Sequence, residues 1–285
     1  MARISDTDLI LNPNGSVFHL GLLPDQLADT ILAVGDPDRV EQVSCNFDTI
    51  EFKNQKREFI THTGTLGGKR ISVISTGIGP DNVEIFFQEV DALVNIDLQR
   101  KEPKAIRKSL NIVRVGTSGA MQKEIAVGSL VISDQAVGLD NLMQFYVFPQ
   151  SELQAAASLA LQQHTGLSFL PYIAQGSVSL REKIGRGMIT GNTATCPGFY
   201  APQGRQLRLP IRYPNLLRDL GTFRSTDFRL SNFEMETSTY FSLGQLMGHK
   251  AASANAIIAN RVTGEFSKNP HEVVDSLIRH VLERI

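Results

Sequence analysis

Arg114 sits inside an otherwise apolar run, Asn111-Ile112-Val113-Arg114-Val115-Gly116, and Thr117-Ser118-Gly119 follows. A guanidinium in such a run is costly to bury without a partner. Two chemistries would satisfy it. One is a phosphate, clamped through two N–H bonds, with Thr117 and Ser118 supplying hydroxyls and the glycines exposing backbone amides. The other is a structural ion pair with an internal carboxylate. Carboxylates occur in a second segment, Asn232-Phe233-Glu234-Met235-Glu236-Thr237, where a strand gives way to a helix. In a pocket, Glu236 could accept both vicinal hydroxyls of a ribose, a bond that tightens as positive charge grows on the sugar. Equally, both acids could serve the helix N-terminus.

A third segment, Gly35-Asp36-Pro37-Asp38-Arg39, places a glycine turn and an arginine between a strand and a helix. Amides at such a turn suit an anion, and an ordinary strand–helix turn with a surface arginine fits the same residues. Thr76-Gly77-Ile78-Gly79-Pro80 matches half of a dinucleotide fingerprint, with Asn82 at the last glycine position, and a lone GxG is weak. Residues 64–70 fail as a P-loop because Arg70 stands where Ser or Thr is needed, so they read as a hairpin turn. The six histidines show no metal-ligand spacing, so no metal site is expected. His19 stands out only for its setting, Ser16-Val17-Phe18-His19-Leu20-Gly21.

These segments need a scaffold that ends strands at turns. Short apolar runs at 30–35, 70–77, 111–116 and 129–133 each read as a buried strand stopping at a turn, in most cases at a glycine. Helical spacing of apolar residues follows at 82–95, 234–247 and 271–284. Strands alternating with helices predict an α/β fold, with a parallel or mixed sheet covered on both faces and ligands at the strand ends. Residues 96–110 read as an exposed helix end and loop, and 196–225 as a long surface loop or flap. Neither looks like a boundary, so one domain over 1–285 is expected.

Bulk properties narrow the partners. A net charge of −1 and a pI near 6.6 provide no strong field for nucleic acid or an anionic membrane. A bound phosphate must therefore be held by a few placed groups. Two cysteines, Cys45 and Cys196, are too few for a disulfide framework. With a poor signal peptide and no run long enough to cross a bilayer, they point to a reducing cytoplasm.

Taken in order, VFHLGL (17–22), GDPDR (35–39), REF (57–59), STGIG (75–79), RVGTSGA (114–120), FYAPQGR (199–205), NFEMET (232–237) and IIANR (257–261) resemble the signature set of the nucleoside phosphorylase family, in its uridine phosphorylase branch. The resemblance runs from about residue 16 to 285 and thins in 96–110 and 206–228. It implies a three-layer α/β/α fold around a mixed, partly barrel-like sheet. It implies a pentosyltransferase of nucleotide salvage, in which inorganic phosphate as co-substrate displaces the base from C1′ of the ribose without an organic cofactor. By the same resemblance Gly35, Arg39, Arg114, Gly116 and Thr117 would hold phosphate, joined by Arg57 from a neighbouring subunit. Glu236 would bind the ribose hydroxyls, with Met235 against the sugar and Glu234 close by. His19 would reach the 5′-hydroxyl across the subunit interface, with Phe18 beside it. Gln203 and Arg205 would read the uracil edge, with Phe199 stacked on or beside the base. Arg114, Glu236 and Arg205 would carry catalysis. Some members bind potassium between subunits, where Glu58 would be the matching ligand.

The chemistry agrees with these residue types. Charge leaves onto the pyrimidine, where an arginine can stabilise the oxyanion, while phosphate attacks the opposite face of the oxocarbenium carbon. The purine-directed branch carries an Asp in a Ser-Asp context, where this chain has Ile258-Ala259-Asn260-Arg261. Protonating a purine nitrogen calls for an acid there. The flap reads Ala201-Pro202 where Pro-Gly is common, and Pro80 follows GIG where another glycine is common. The competing readings are a purine phosphorylase or a water-using nucleosidase on the same fold, and a non-catalytic nucleoside-binding protein.

Overall fold

The computed structural model describes residues 3–225 and 228–285. The chain divides into two compact units: residues 1–113 with 247–250, and residues 114–246 with 251–285.

In the first unit a four-stranded mixed sheet is built from β1 (Thr30–Val34), β2 (Thr49–Lys56), β3 (Phe59–Leu66) and β4 (Lys69–Ser75), with α1 (Asp38–Ser44) following β1 and α2 (Pro80–Asn95) following β4. β1 runs parallel to β4, while β2–β3 and β3–β4 are antiparallel hairpins. The hairpin read at 64–70 is the β3–β4 turn. Gly67 and Gly68 both take positive φ there (56° and 76°), as a twist-matched two-residue turn requires. Val34 pairs with Ser75, so Gly35 and the Thr76-Gly77 turn emerge side by side at the carboxyl ends of two parallel strands. Residues 96–110 are a small hairpin, β5 (Ile96–Asp97) and β6 (Glu102–Pro103), followed by irregular chain.

β7 (Asn111–Ala120) passes into the second unit at Arg114. There follow β8 (Leu130–Gly138), α3 (Glu152–Thr165), β9 (Tyr172–Gln175), α4 (Val178–Ile184), β10 (Ile189–Thr195), α5 (Leu216–Thr222), β11 (Leu230–Glu234), α6 (Thr237–Met247), β12 (Lys250–Asn260), β13 (Glu265–Phe266) and α7 (Pro270–Leu282). β12, β8, β10, β11 and β7 pair in that order, and a β12–β7 pairing closes the ring into a five-stranded barrel. The mixed sheet with a barrel-like core is the fold class expected from the sequence, and seven α-helices lie among the described residues.

Alternation along the strands sorts this barrel into two surfaces. Ala194 and Phe233 face a core made with Val137 of β8, Ala157 and Leu161 of α3, and Leu216 and Leu220 of α5. Their neighbours Thr193, Thr195, Asn232 and Glu234 are equally buried, but their side chains hydrogen-bond to one another or to other strands. The face turned to the lumen is therefore polar at these positions, while Ala120, Val131 and Ile257, in step with Ser118, Ser133 and Asn255 along their strands, pack into a small apolar cluster.

Two expectations change. Gly116 does not end its strand: β7 continues to Ala120. And 196–225 is not one long loop, because a 3₁₀ turn at Ala201–Gln203 and helix α5 interrupt it. Leu216, Leu220 and Phe223 anchor α5 in the core. Apolar side chains on a seven-residue helix are too few to show a period.

Candidate active site

The barrel gathers Arg114, Glu234 and Glu236 of the second unit. Arg114 projects from β7 and is only 5% exposed. Its Nη2 donates to Glu236 Oε2 at 2.6 Å and lies 3.0 Å from Glu234 Oε2. Its Nη1 donates to Asn255 Oδ1 at 2.8 Å and reaches Ser253 Oγ at 3.5 Å. Burial opposes the charge, but Glu234 and Glu236 outweigh it and hold the guanidinium pKa above the usual arginine range. Of the two chemistries open to Arg114 in the sequence, the structure shows the ion pair with internal carboxylates. Gly116 makes the fold-back possible: a Cβ there would lie 2.2 Å from Arg114 Nη1 and 2.4 Å from its Cζ. That close approach, and not a turn, explains the glycine.

Glu234 and Glu236 have different work. Both Glu234 oxygens accept the Thr237 amide, at 3.0 and 2.9 Å, and one also accepts the Glu236 amide at 3.0 Å. Thr195 Oγ1 adds a fourth bond at 2.8 Å. Glu234 thus ties down the start of α6, where amides lack helical partners and the dipole favours an anion. That tie fixes the two-residue turn from which Glu236 reaches Arg114. Met235 lies between them at the strand–helix junction.

The segment after β10 forms a hook. Arg205 lies over the Phe199 ring, its Cζ 3.9 Å from the centroid, and its Nη1 donates to the Phe199 carbonyl at 2.7 Å. The same nitrogen donates to Gln203 Oε1, so the two residues expected to read a base edge are in direct contact. Gln203 is buried at 3%, while Phe199 is half exposed. Partial burial, and then the like charge of Arg261, pull the Arg205 pKa down. Arg261 Nη1 also donates to the Gln203 carbonyl at 3.2 Å, a tie that motif reading did not supply.

Asn260 is committed to structure. Its amide nitrogen donates to the carbonyls of Gln122 and Ile125, both at 2.9 Å, and its oxygen accepts the amides of Val262 and Thr263. An aspartate could not make the first two bonds.

In the first unit, Gly35 and Arg39 flank the β1–α1 turn, where Asp36 Oδ1 accepts the Asp38 amide at 3.1 Å. Arg57 and Glu58 form the β2–β3 turn, with Glu58 partly buried and Arg57 exposed and in the left-handed region at φ 54°, a conformation uncommon outside glycine. Glu58 contributes its backbone carbonyl to Ser75 Oγ at 2.5 Å. His19 is held by a residue that the motifs did not flag. Glu89 of α2 accepts the His19 amide at 2.7 Å and the Leu20 amide at 2.7 Å, and it lies 2.8 Å from His19 Nδ1. Phe18 packs edge-on against the His19 ring, and Lys56 lies 4.7 Å from the Phe18 centroid. Among the described residues no group of three or more His, Cys, Asp or Glu side chains could hold a metal ion.

Residues 29–285 match the model of the phosphorylase superfamily, and the chain belongs to that family. Among its relatives, a uridine phosphorylase of Thermococcus kodakarensis is 33% identical over 89% of this chain and 81% of its own length. A uridine phosphorylase of Haemophilus influenzae is 31% identical over 87% and 88%. A solved nucleoside phosphorylase of Trypanosoma brucei, described as showing uridine phosphorylase activity, superposes with a TM-score of 0.90 at 28% identity, covering 97% of this chain and 99% of that one.

Proposed function

We propose that this protein is a uridine phosphorylase, which reversibly converts uridine and inorganic phosphate to uracil and ribose 1-phosphate. The observation that carries the reading is the buried Arg114–Glu236 pair at 2.6 Å in the same unit as the Phe199–Gln203–Arg205 hook. Glu236 accepts the ribose hydroxyls, gaining strength as the sugar becomes cationic. Gln203 pairs with the uracil edge, and Arg205 stabilises the oxyanion that develops on the leaving base. Arg114, Gly116 and Thr117, with Gly35, Arg39 and Arg57, bind the attacking phosphate. No side chain acts as a nucleophile and no organic cofactor takes part. His19 and Arg57 serve the site of a neighbouring copy, so the working form is an oligomer. We read residues 1–285 as one functional domain. No described helix is long and apolar enough to cross a membrane, and a cytoplasmic location suits the substrates.

A purine reading asks for an acid near residue 260, where Asn260 has both its N–H groups spent on the 122–125 turn. Three arginines assigned to an anion disfavour water as the nucleophile. The test is a substrate panel with and without phosphate. Uracil and ribose 1-phosphate should form from uridine only when phosphate is present. Turnover of inosine but not of uridine would sink the pyrimidine assignment, and phosphate-independent release of uracil would indicate a nucleosidase.

A further inference from the structure

The orientation of Arg114 follows from a circuit of side chains drawn from all five barrel strands. A guanidinium only donates, so the Asn255 atom that faces Arg114 Nη1 at 2.8 Å is the amide oxygen. The Asn255 nitrogen then points the other way and donates to Ser133 Oγ and Ser253 Oγ, each at 3.2 Å. Having accepted from Asn255, the Ser133 hydroxyl gives its hydrogen to Thr193 Oγ1 at 2.6 Å. Thr193 in turn donates to Asn232 Oδ1 at 3.0 Å, and the Asn232 nitrogen donates to Ser118 Oγ at 3.0 Å, back on β7. The sequence of strands is β7, β12, β8, β10, β11 and β7 again. Asn255, Ser133, Thr193 and Asn232 are all fully buried. The two hydroxyls that lie between the amides of Asn255 and Asn232, those of Ser133 and Thr193, each donate once, so one choice of direction at Arg114 fixes the rest.

We infer that Asn255, held by Ser133 and Ser253, is the positioning residue that aims the Arg114 guanidinium at phosphate and keeps it against Glu236. The inference rests on the proposed role of Arg114. Without Asn255 the guanidinium keeps its two carboxylate partners on the Nη2 side and is left on the Nη1 side with only the long 3.5 Å contact to Ser253 Oγ, so it can swing away from the anion. An aspartate at 255 fails differently. Its ionised form has no hydrogen for Ser133, whose own hydrogen is committed to Thr193, and it adds a third carboxylate beside Glu234 and Glu236. Its protonated form presents one oxygen to Arg114 and an O–H to Ser133, reproducing the amide. The charged and titratable groups around the position are Arg114 on β7, Glu234 and Glu236 at the end of β11, and Tyr240 on α6, which also acts on Arg114.

The experiment measures the Kd of inorganic phosphate by calorimetry, and kcat with the KM of each substrate, for the wild type and for Asn255→Ala, Asn255→Asp and Ser133→Ala. Loss of a charge-assisted anchor corresponds to about a tenfold or greater weakening of phosphate binding. Asn255→Ala should show it in phosphate Kd and KM, with the uridine KM moving less, and Ser133→Ala should show a smaller change of the same kind. Asn255→Asp should be the most impaired near pH 8 and should recover relative to the wild type as pH falls. If all three variants kept phosphate Kd within about twofold and lost only melting temperature, the circuit would be structural and the inference overturned. An Asn255→Asp variant whose pH profile tracks the wild type would overturn it equally. Should Asn255→Ala fail to fold, Ser133→Ala, which retains the amide, gives the result by itself. A wild type that binds phosphate but leaves uridine intact would refute the proposed function while the phosphate Kd series still tests the positioning role. A wild type with no measurable phosphate affinity would overturn both.

Discussion

Two carboxylates two residues apart do unlike work because their partners differ. Glu234 spends its oxygens on the Glu236 and Thr237 amides and on Thr195, so it is part of the frame. Glu236 is the acid held against Arg114, where a polyol could compete for its oxygens. Replacing Glu236 by alanine therefore separates chemistry from folding. Arg114 would still have Glu234 at 3.0 Å and Asn255 at 2.8 Å, so its buried charge is not orphaned. Loss of a preorganised group that acts on transition-state charge should lower kcat/KM by about 10²–10³-fold. Steady-state kinetics with uridine, alongside a thermal melt, check both halves. A Glu236→Ala enzyme with near wild-type kcat/KM would remove Glu236 from the ribose site.

At the level of elements, what the sequence revealed depended on which face of a strand carried apolar residues. β1 and β4 are apolar runs and were legible as strands. β10 and β12 were not, because Thr193, Thr195, Ser253 and Asn255 turn inward to the barrel lumen and break the apolar pattern, and β11 was legible only as the strand end before Glu236. Motif order made Arg114, Glu236, Gln203 and Arg205 legible as candidates. Asn255, Ser133 and Glu89 were not, because their importance lies in pairings across strands or between a helix and a distant segment. Asp140, beyond the end of β8, shows the same blindness. Burial raises its carboxyl pKa, against opposing bonds from the Leu142 amide, the Tyr172 hydroxyl and Ser238. A raised folded-state pKa means that the folded protein binds this proton more tightly than the unfolded chain. The stabilisation is complete below the unfolded value near 3.8 and is lost as pH rises through the folded value. Asp140→Asn keeps the acceptor for Leu142 and offers an N–H to Tyr172, with no charge to bury. Its melting temperature relative to wild type should climb as pH is raised from the ordinary aspartate range towards neutrality. A difference that stays constant across a pH series of thermal melts would show that Asp140 carries no such linkage.

For the whole molecule, the proposal divides the work between copies of the chain. His19 and Arg57 belong to the first unit, and Glu236 and Arg205 to the second. If His19 and Arg57 serve a neighbour's site, a double variant His19→Ala/Arg57→Ala and a Glu236→Ala variant are damaged in different halves of each site. Each homo-oligomer is then inactive. A mixed pair related by two-fold symmetry has one site carrying both lesions and one carrying neither. Random exchange makes half of the pairs mixed, with one of two sites intact, so co-refolding equal amounts should restore about a quarter of wild-type activity. If instead all groups of a site came from one chain, every site in the mixture would carry one lesion or the other. Activity would then stay at the level of the separate variants, and a linear assay of the co-refolded mixture against each parent distinguishes the two arrangements.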